Sequence, residues 1–512
     1  MGRSHAKRGL VRPGAAVALG LLVLVLIPAT ALAVLGDFTE PATSPEAVGK
    51  TSESVVAGDF NEDGHVDLVV SNKDSNDLTV LLNDGKGDFS PAVTSPEAVT
   101  GPWQLVAAKL DADAHLDLAV TSQTSGSDGQ VVILLGDGTG NFSPAPTSPE
   151  PIGAVTRNLA TGDLDGDGDE DLAVAKFFPA AVAVLLNDGS ADFAQPGTSP
   201  EDAGGSATNV TSIVTGDFNE DEAIDIAAGS EFSDEIRVYL NDDEEDGDLT
   251  GGAPISGTDG TAMTTGFFNG DAALDLAIGE GASKKAAILL GNGSGGFAAA
   301  PTSPEELPGE VRWLVSADFN NDSKADLAAT GGGGPGFVAV LLGNGAGDFT
   351  APGTSPESVG SFPTSIAAAP LNGDAGVDLA VANIFTEKVN VLFNDFVPGN
   401  ESPAENPPQQ SSPPAPSPVV TPPPVPNTKL GVHPGPRVTT KLAKLKVKFG
   451  FSSDIAGASF QCKVDKGSFK TCRSPKSFKV KPGKHKFTVR AVGPGGTDAT
   501  PVSYSFKVIR QG

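Results

Sequence analysis

Tryptophan, tyrosine, methionine and cysteine each occur only twice in 512 residues. The two cysteines, Cys462 and Cys472, lie close together, a usage that fits one disulfide in an oxidising compartment. They form no zinc-binding motif, and no nucleophile elbow is present. The run Gly331 to Gly334 has no Lys-Ser/Thr after it and is no phosphate-binding loop. Histidine is scarce too. His65 and His115 stand within acidic stretches, where a solvent-facing place is expected over catalysis. The chain is therefore read as a non-enzyme, with a polysaccharide- or lipid-processing activity the weakest alternative. Basic residues are thin in the body of the chain. Residues 34–428 hold 12 Lys/Arg against 61 Asp/Glu, a balance that repels phosphate and argues against nucleic acid as a partner.

Long apolar runs are missing except at the start. Arg3, Lys7, Arg8 and Arg12 precede the apolar stretch Ala15 to Ile27, and Ala31-Leu32-Ala33 is a small-residue cleavage signature. Residues 1–33 thus read as a secretory signal peptide. The run falls short of the ~20 residues a membrane span needs, and Pro28 interrupts it. The expected location is secreted, extracellular or at the cell surface.

Aspartate is abundant, and it recurs in a pattern. In Asp163-Leu164-Asp165-Gly166-Asp167-Gly168-Asp169-Glu170-Asp171, acids stand at loop positions 1, 3, 5 and 9. Alternate carboxylates at this spacing point inward, and Ca²⁺ takes 6–8 such oxygens. Gly168 at position 6 permits the sharp turn, and the Asp169 carbonyl at position 7 is the natural backbone ligand. The other full sets are Asp59, Asn61, Asp63, His65 and Asp67; Asp217, Asn219, Asp221, Ala223 and Asp225; and Asp318, Asn320, Asp322, Lys324 and Asp326. His65, Ala223 and Lys324 stand at the carbonyl position. Glu222 and Ser323 replace glycine at position 6, which ranks those two loops lower. Three further loops end at Asp117, Asp275 and Asp378 but start at Lys109, Phe267 and Pro370. The Lys109 ammonium is expected to replace calcium beside Asp111, Asp113 and Asp117; the other two loops are expected to be weak or empty.

The seven final aspartates lie 50 to 54 residues apart, a period that signals a solenoid, propeller or array. Within a period, Ser54-Val55-Val56-Ala57, Leu68-Val69-Val70 and Leu78-Thr79-Val80-Leu81-Leu82 are strand-length apolar runs. Asn83-Asp84-Gly85-Lys86-Gly87 is a hairpin turn. Asp88-Phe89-Ser90 opens a fourth strand, closed by Thr94-Ser95-Pro96-Glu97. Four short strands make one propeller blade. The last period stops at Phe396 without the Thr-Ser-Pro-Glu tail, whereas Gly36-Asp37-Phe38 and Thr43-Ser44-Pro45-Glu46 open the mature chain. The fold expected is all-β: a seven-bladed β-propeller over 34–396, closed by the N-terminal strand so that no edge stays unpaired.

The Asp-x-Asn/Asp-x-Asp-Gly-x-x-Asp loop, joined to Asn-Asp-Gly-x-Gly-x-Phe, resembles the FG-GAP/VCBS repeats of integrin α-subunits and many secreted bacterial proteins. That resemblance implies Ca²⁺ between the first two strands of a blade, on the lower face. It implies ligand binding mainly on the opposite, upper face. An adhesion or interaction module is the first functional reading, with an extracellular protein or glycan as ligand. A lectin-like, carbohydrate-binding propeller is the alternative. Trp103, Arg157, Arg312 and Trp313 sit near the starts of first strands, where either inter-blade packing or ligand contact is open to them. A monomer is expected.

Residues 397–428 are rich in Pro, Ser, Asn and Gln and read as an extended linker. Residues 429–512 carry 18 Lys/Arg against three Asp. Leu445-Lys446-Val447-Lys448-Phe449 and Phe478-Lys479-Val480-Lys481 alternate with period two, which predicts a β-sandwich. The stretch Phe460 to Cys472, with Gly483 to Ala491, resembles small Ig-like domains of actinobacterial surface proteins. That resemblance implies a Cys462–Cys472 bridge across a hairpin. The lysine face is read as a solvated strand surface or as a dock for an anionic cell envelope.

Overall fold

The computed structural model describes residues 38–124, 129–202, 209–241, 249–252, 254–332, 334–394, 428–431, 433, 437–440, 445–453, 459–467, 469–472, 474, 476–493, 496–497 and 501–510. The expected signal peptide, Gly36, Asp37 and the linker over 397–427 lie outside the described residues. Every regular element described is a β-strand. Among the described residues no helix is long and apolar enough to cross a membrane.

Seven five-stranded antiparallel sheets follow one another from Phe38 to Asn394. The first is built from Ser52–Gly58, Asp67–Asn72, Asp77–Asn83 and Phe89–Pro91, with Glu97–Ala98 beside the third strand. Its second strand is buried along its whole length, with Leu68, Val69 and Val70 all at 0% exposure. Neighbouring sheets cover both faces of such a strand, so it reads as a continuous apolar run.

The first strands touch in chain order, from Ser52–Gly58 against Pro102–Ala108 onward. Pro363–Ala369, from the last sheet, lies against Ser52–Gly58 again. Thr364 Oγ1 donates to the Ser52 carbonyl at 2.9 Å, and the Val55 amide donates to Ser365 Oγ at 3.3 Å. The last sheet comprises Pro363–Ala369, Asp378–Asn383 and Lys388–Asn394, with Phe38–Thr39 and Glu46–Ala47 added from the start of the chain. Phe38 pairs with Asn394 in the register by which Phe89 pairs with Asn83. Apolar clusters sit between sheets. Val55, Leu68 and Val70 pack with Ala380, Val389 and Val391, and Phe38 packs with Phe319, Val338 and Ile366.

One expectation changes in detail. The Thr-Ser-Pro-Glu segment does not close the fourth strand; it interrupts it. Pairing to the third strand resumes at the glutamate, with Glu97 opposite Leu78. The serine fills the gap: Ser95 Oγ accepts from the Val80 amide at 3.0 Å. Ser148, Ser199, Ser303, Ser355 and Ser44 do the same for Ile133, Val184, Ile288, Val340 and Val391. A buried amide without an acceptor is costly, so the hydroxyl keeps the broken ladder satisfied.

The described residues between 428 and 510 form a six-stranded sheet and two two-stranded ones. Arg437–Thr440 pairs parallel with Val502–Arg510, and Gly483–Gly493 lies between Val502–Arg510 and Ser459–Val464. Phe449, Phe451, Phe487, Val489, Phe506 and Val508 make the core. Cys462 and Cys472 are bonded across the hairpin of Ser459–Val464 and Lys470–Cys472. Lys448, Lys476, Lys479, Lys484, Lys486 and Lys507 are exposed.

Candidate functional site

Each first strand runs into its acidic loop and each second strand starts at the loop's final aspartate. That aspartate is fully buried in all seven sheets. One oxygen accepts the amide of loop position 2, and the other accepts an amide at the end of the third strand. For Asp67 the donors are Phe60 at 3.1 Å and Asn83 at 2.8 Å. For Asp171 they are Leu164 and Asn187, both at 2.7 Å. Asp117, Asp225, Asp275, Asp326 and Asp378 repeat the pair. The aspartate period is thus a backbone device first, present whether or not the rest of the loop can hold an ion. Burial pushes these carboxyls up against the pull of the amides. Asp171 and Asp225 reach about 7, and Asp67, Asp326 and Asp378 about 6.

Positions 3 and 5 wind the loop. The position 5 amide donates to the position 3 side chain, and the position 7 amide donates to the position 5 carboxylate. Asp167 to Asp165 at 3.1 Å and Asp169 to Asp167 at 2.9 Å are one example. His65, Ala223 and Lys324 donate in the same way to Asp63, Asp221 and Asp322. Glu222 and Ser323 adopt positive φ values of 78° and 65° at position 6, beside 88° for Gly64 and 105° for Gly168. The turn survives without glycine, at a steric cost of about 1–2 kcal/mol.

Position 1 separates the loops. Asp59 accepts the amides of Asp63 and Gly64 at 3.1 and 3.0 Å. Asp217 and Asp318 likewise accept two amides each. Asn61 and Asn219 add a side-chain amide to Asp63 and Asp221, and the Lys324 ammonium sits 3.0 Å from Asp322. The Asp163 loop is different. Asp163 Oδ1 is buried without a hydrogen-bond partner. Carboxylate oxygens of Asp163, Asp165 and Asp171 all lie within 4.8 Å of one another. Two ligands each 2.3–2.6 Å from a calcium ion can be at most about 5 Å apart, so this oxygen set fits Ca²⁺. Burial, then the charges of neighbouring aspartates, pushes Asp163 and Asp165 upward.

Lys109 does not take up the expected ion-like place. It is exposed, and among the described residues its ammonium makes no ion pair with Asp111, Asp113 or Asp117. His115 instead bridges two sheets, its Nδ1 lying 2.7 Å from Glu62 Oε1 of the preceding loop. This hydrogen bond raises the His115 pKa.

A second feature escaped the sequence. The carbonyl of loop position 2 is clasped by the next sheet, seven times over. Asn83, Asn187, Asn241 and Asn394 donate side-chain amides to the carbonyls of Leu371, Leu110, Leu164 and Phe319. Where glycine replaces that asparagine, a hairpin backbone amide substitutes: Gly140 to Phe60, Gly295 to Phe218 and Gly347 to Phe268. The alternation of Asn and Gly at the end of the third strand carries this signal.

At the opposite end of the first strands lies a cavity of about 230 Å³. Glu53, Trp103, Arg157, Thr211, Thr261, Arg312 and Thr364 line it, one from each sheet and each six residues before its loop. Gln104, Asn158, Phe177 and Trp313 complete its walls with Glu231 and Phe232. All four residues singled out near first-strand starts thus meet in one place. The Trp103 ring carries two cations, Lys73 at 3.3 Å and Arg157 at 4.0 Å from its centroid. Lys73 also reaches Glu53 at 3.6 Å. Burial raises Glu53 and lowers Arg157. Phe178, exposed by 69%, ends a second strand, and Phe232 and Phe385, exposed by 65% and 66%, stand on turns between second and third strands at this same end. An acidic hollow adjoins it, with Glu231, Asp259 and Glu310 in its walls beside Arg312.

A model described as an FG-GAP-like repeat matches residues 59–120, 110–174, 163–228, 268–329 and 318–381, together more than half of the chain. Each match runs from one acidic loop into the next. The interval 229–267 holds the repeat that lacks Thr-Ser-Pro-Glu. No curated protein matches the chain. Among solved structures, BBS1N in complex with ARL6DN, soaked with lead, aligns with a TM-score of 0.47 at 11% identity, covering 69% of this chain and 96% of that one. An Agrocybe aegerita lectin, described as recognising non-reducing terminal N-acetylglucosamine, aligns with a TM-score of 0.42 at 17% identity, covering 61% and 81%. With its acidic loops recurring in five matched segments, the chain belongs to the FG-GAP-like repeat family.

Proposed function

We propose that this chain is a secreted or surface-held, calcium-binding interaction module with no enzymatic activity. In this reading the seven sheets are the blades of one closed propeller, with Phe38–Thr39 completing the last. The ring of first-strand contacts and the seven clasps between sheets support that arrangement. Asp163, Asp165, Asp167 and Asp171, with the Asp169 carbonyl, would hold calcium. The ion would neutralise crowded carboxylates and so stabilise the loop. The loops of Asp59, Asp217 and Asp318 are weaker candidates, because asparagine replaces the position 3 carboxylate in each and, among the described residues, no three carboxylates converge there.

The observation that carries the functional reading is the pocket to which all seven sheets contribute one residue at the same position. Exposed phenylalanines beside an aromatic and arginine pocket have the composition of a protein-binding surface. A protein ligand is favoured over a glycan, because Trp103, the best sugar-stacking platform, is already occupied by Lys73 and Arg157. The C-terminal unit would be an Ig-like domain whose exposed lysines meet an anionic envelope. Peptide and glycan arrays probed with the full-length chain test the reading. Peptide binding lost in Trp103→Ala or Phe232→Ser is expected. Binding only to glycans, or binding lost only when the exposed lysines over 476–507 become glutamine, would refute it.

A further inference from the structure

Arg157 and Arg312 enter the pocket from the third and sixth sheets. Aromatic rings lie against both guanidinium groups. Arg157 lies 4.0 Å from the Trp103 centroid and 4.7 Å from Phe177, and Arg312 lies 5.2 Å from Phe362. A guanidinium uses its face for such stacking, while its five N–H donors lie in the plane and point outward at the edge. Among the described residues neither guanidinium makes an ion pair, and the Nε atoms of both are buried without a hydrogen-bond partner. Glu53 pairs with Lys73 and also acts electrostatically on Arg157, and Glu231 stands within electrostatic reach of both arginines; neither acid pairs with an arginine. Two ring-backed cations with unpartnered Nε donors, in a concave site, match the planar, bidentate acceptor that a carboxylate offers.

We propose that this pocket seats the carboxylate of an acidic side chain presented by a protein partner, its donors being Arg157 and Arg312. The proposal rests on the interaction-module reading above. The rim favours a peptide as carrier: Phe178 and Phe232 offer apolar contact beside the pocket, and the cations on Trp103 leave a sugar ring little stacking surface. The adjoining hollow of Glu231, Asp259 and Glu310 disfavours a polyanion and suits a partner with a basic residue near its acidic one.

The test is a random-sequence peptide array probed with the labelled full-length chain. Selected peptides are resynthesised with each Asp as Asn and each Glu as Gln. Arg157→Gln, Arg312→Gln and the charge-keeping Arg157→Lys variant are compared, with melting curves to verify their fold. One acid per selected peptide should be indispensable, its amide analogue binding at least tenfold more weakly. Either glutamine variant should lose the same peptide tenfold, yet treat acid and amide forms alike; Arg157→Lys should lose an intermediate amount. Peptide binding that survives both glutamine variants, or selected peptides without an acid, would overturn the carboxylate seat and leave the interaction module standing. Binding to glycans alone, or to neither array, would overturn both.

Discussion

Asp275→Asn isolates the structural role of the recurring aspartate. Asp275 ends the loop that begins at Phe267, so no full carboxylate set overlies its role. It is fully buried. Its Oδ2 accepts the Phe268 amide at 2.7 Å and its Oδ1 accepts the Gly291 amide at 2.8 Å. Asparagine keeps the shape and one acceptor, but turns a donor against the second N–H. A hydrogen bond to a charged group contributes about 1.5–3 kcal/mol, and an orphaned buried amide costs about 1–3 kcal/mol. These terms overlap, so the expected loss is about 3 kcal/mol. Urea unfolding of the full-length chain in chelator reads it through Trp103 and Trp313, which both lie within the repeats. With a slope of about 3 kcal/mol per molar, the midpoint should fall by about 1 M. Asp171→Asn should cost as much in chelator, and calcium should widen the deficit only for Asp171. A midpoint within about 0.2 M of the parent for Asp275→Asn would refute the reasoning. So would a cost at Asp171 that appears only with calcium.

Three further outcomes are expected. Calcium at about a hundred times its dissociation constant should stabilise the repeats by about 2.7 kcal/mol, raising the melting temperature; Asp163→Asn should abolish most of the rise, and equal melting in calcium and chelator would count against any bound ion. In chelator, stability should decline as pH rises from about 4 to about 7. The raised carboxyls of Asp67, Asp171, Asp225, Asp326 and Asp378 bind more protons folded than unfolded across that window, so their contribution is complete below the ordinary aspartate range and lost above it; urea midpoints at pH 5 and 7.5 check this, and a midpoint higher at pH 7.5 would contradict it. Asn187→Ala strips the donor from the Leu110 carbonyl of the preceding sheet and from Glu170, with an expected cost of about 2 kcal/mol; an unchanged urea midpoint would show that the clasp contributes nothing.

Strand length, sheet order and the place of the acidic loops were legible in the chain because each rests on local pattern. Apolar runs such as Leu68-Val69-Val70, turn residues such as Asn83-Asp84-Gly85, and a regular aspartate interval act over a few residues and repeat. The reason for the aspartate was not legible. Its two amide donors come from the loop's second residue and from the third strand, sixteen residues away for Asp67, and only folding brings them to one carboxylate. The same holds for the asparagine clasps, whose acceptors belong to another sheet. Asp165 stands where the other three full loops have Asn61, Asn219 and Asn320, a difference visible in the sequence; that carboxylate oxygens of Asp163, Asp165 and Asp171 converge is visible only in the folded loop. The pocket shows this most plainly. Glu53, Trp103, Arg157 and Arg312 are about 50 to 260 residues apart in sequence, and they become neighbours because the first strands pack on one another in chain order and bring the same position of each repeat to one pocket.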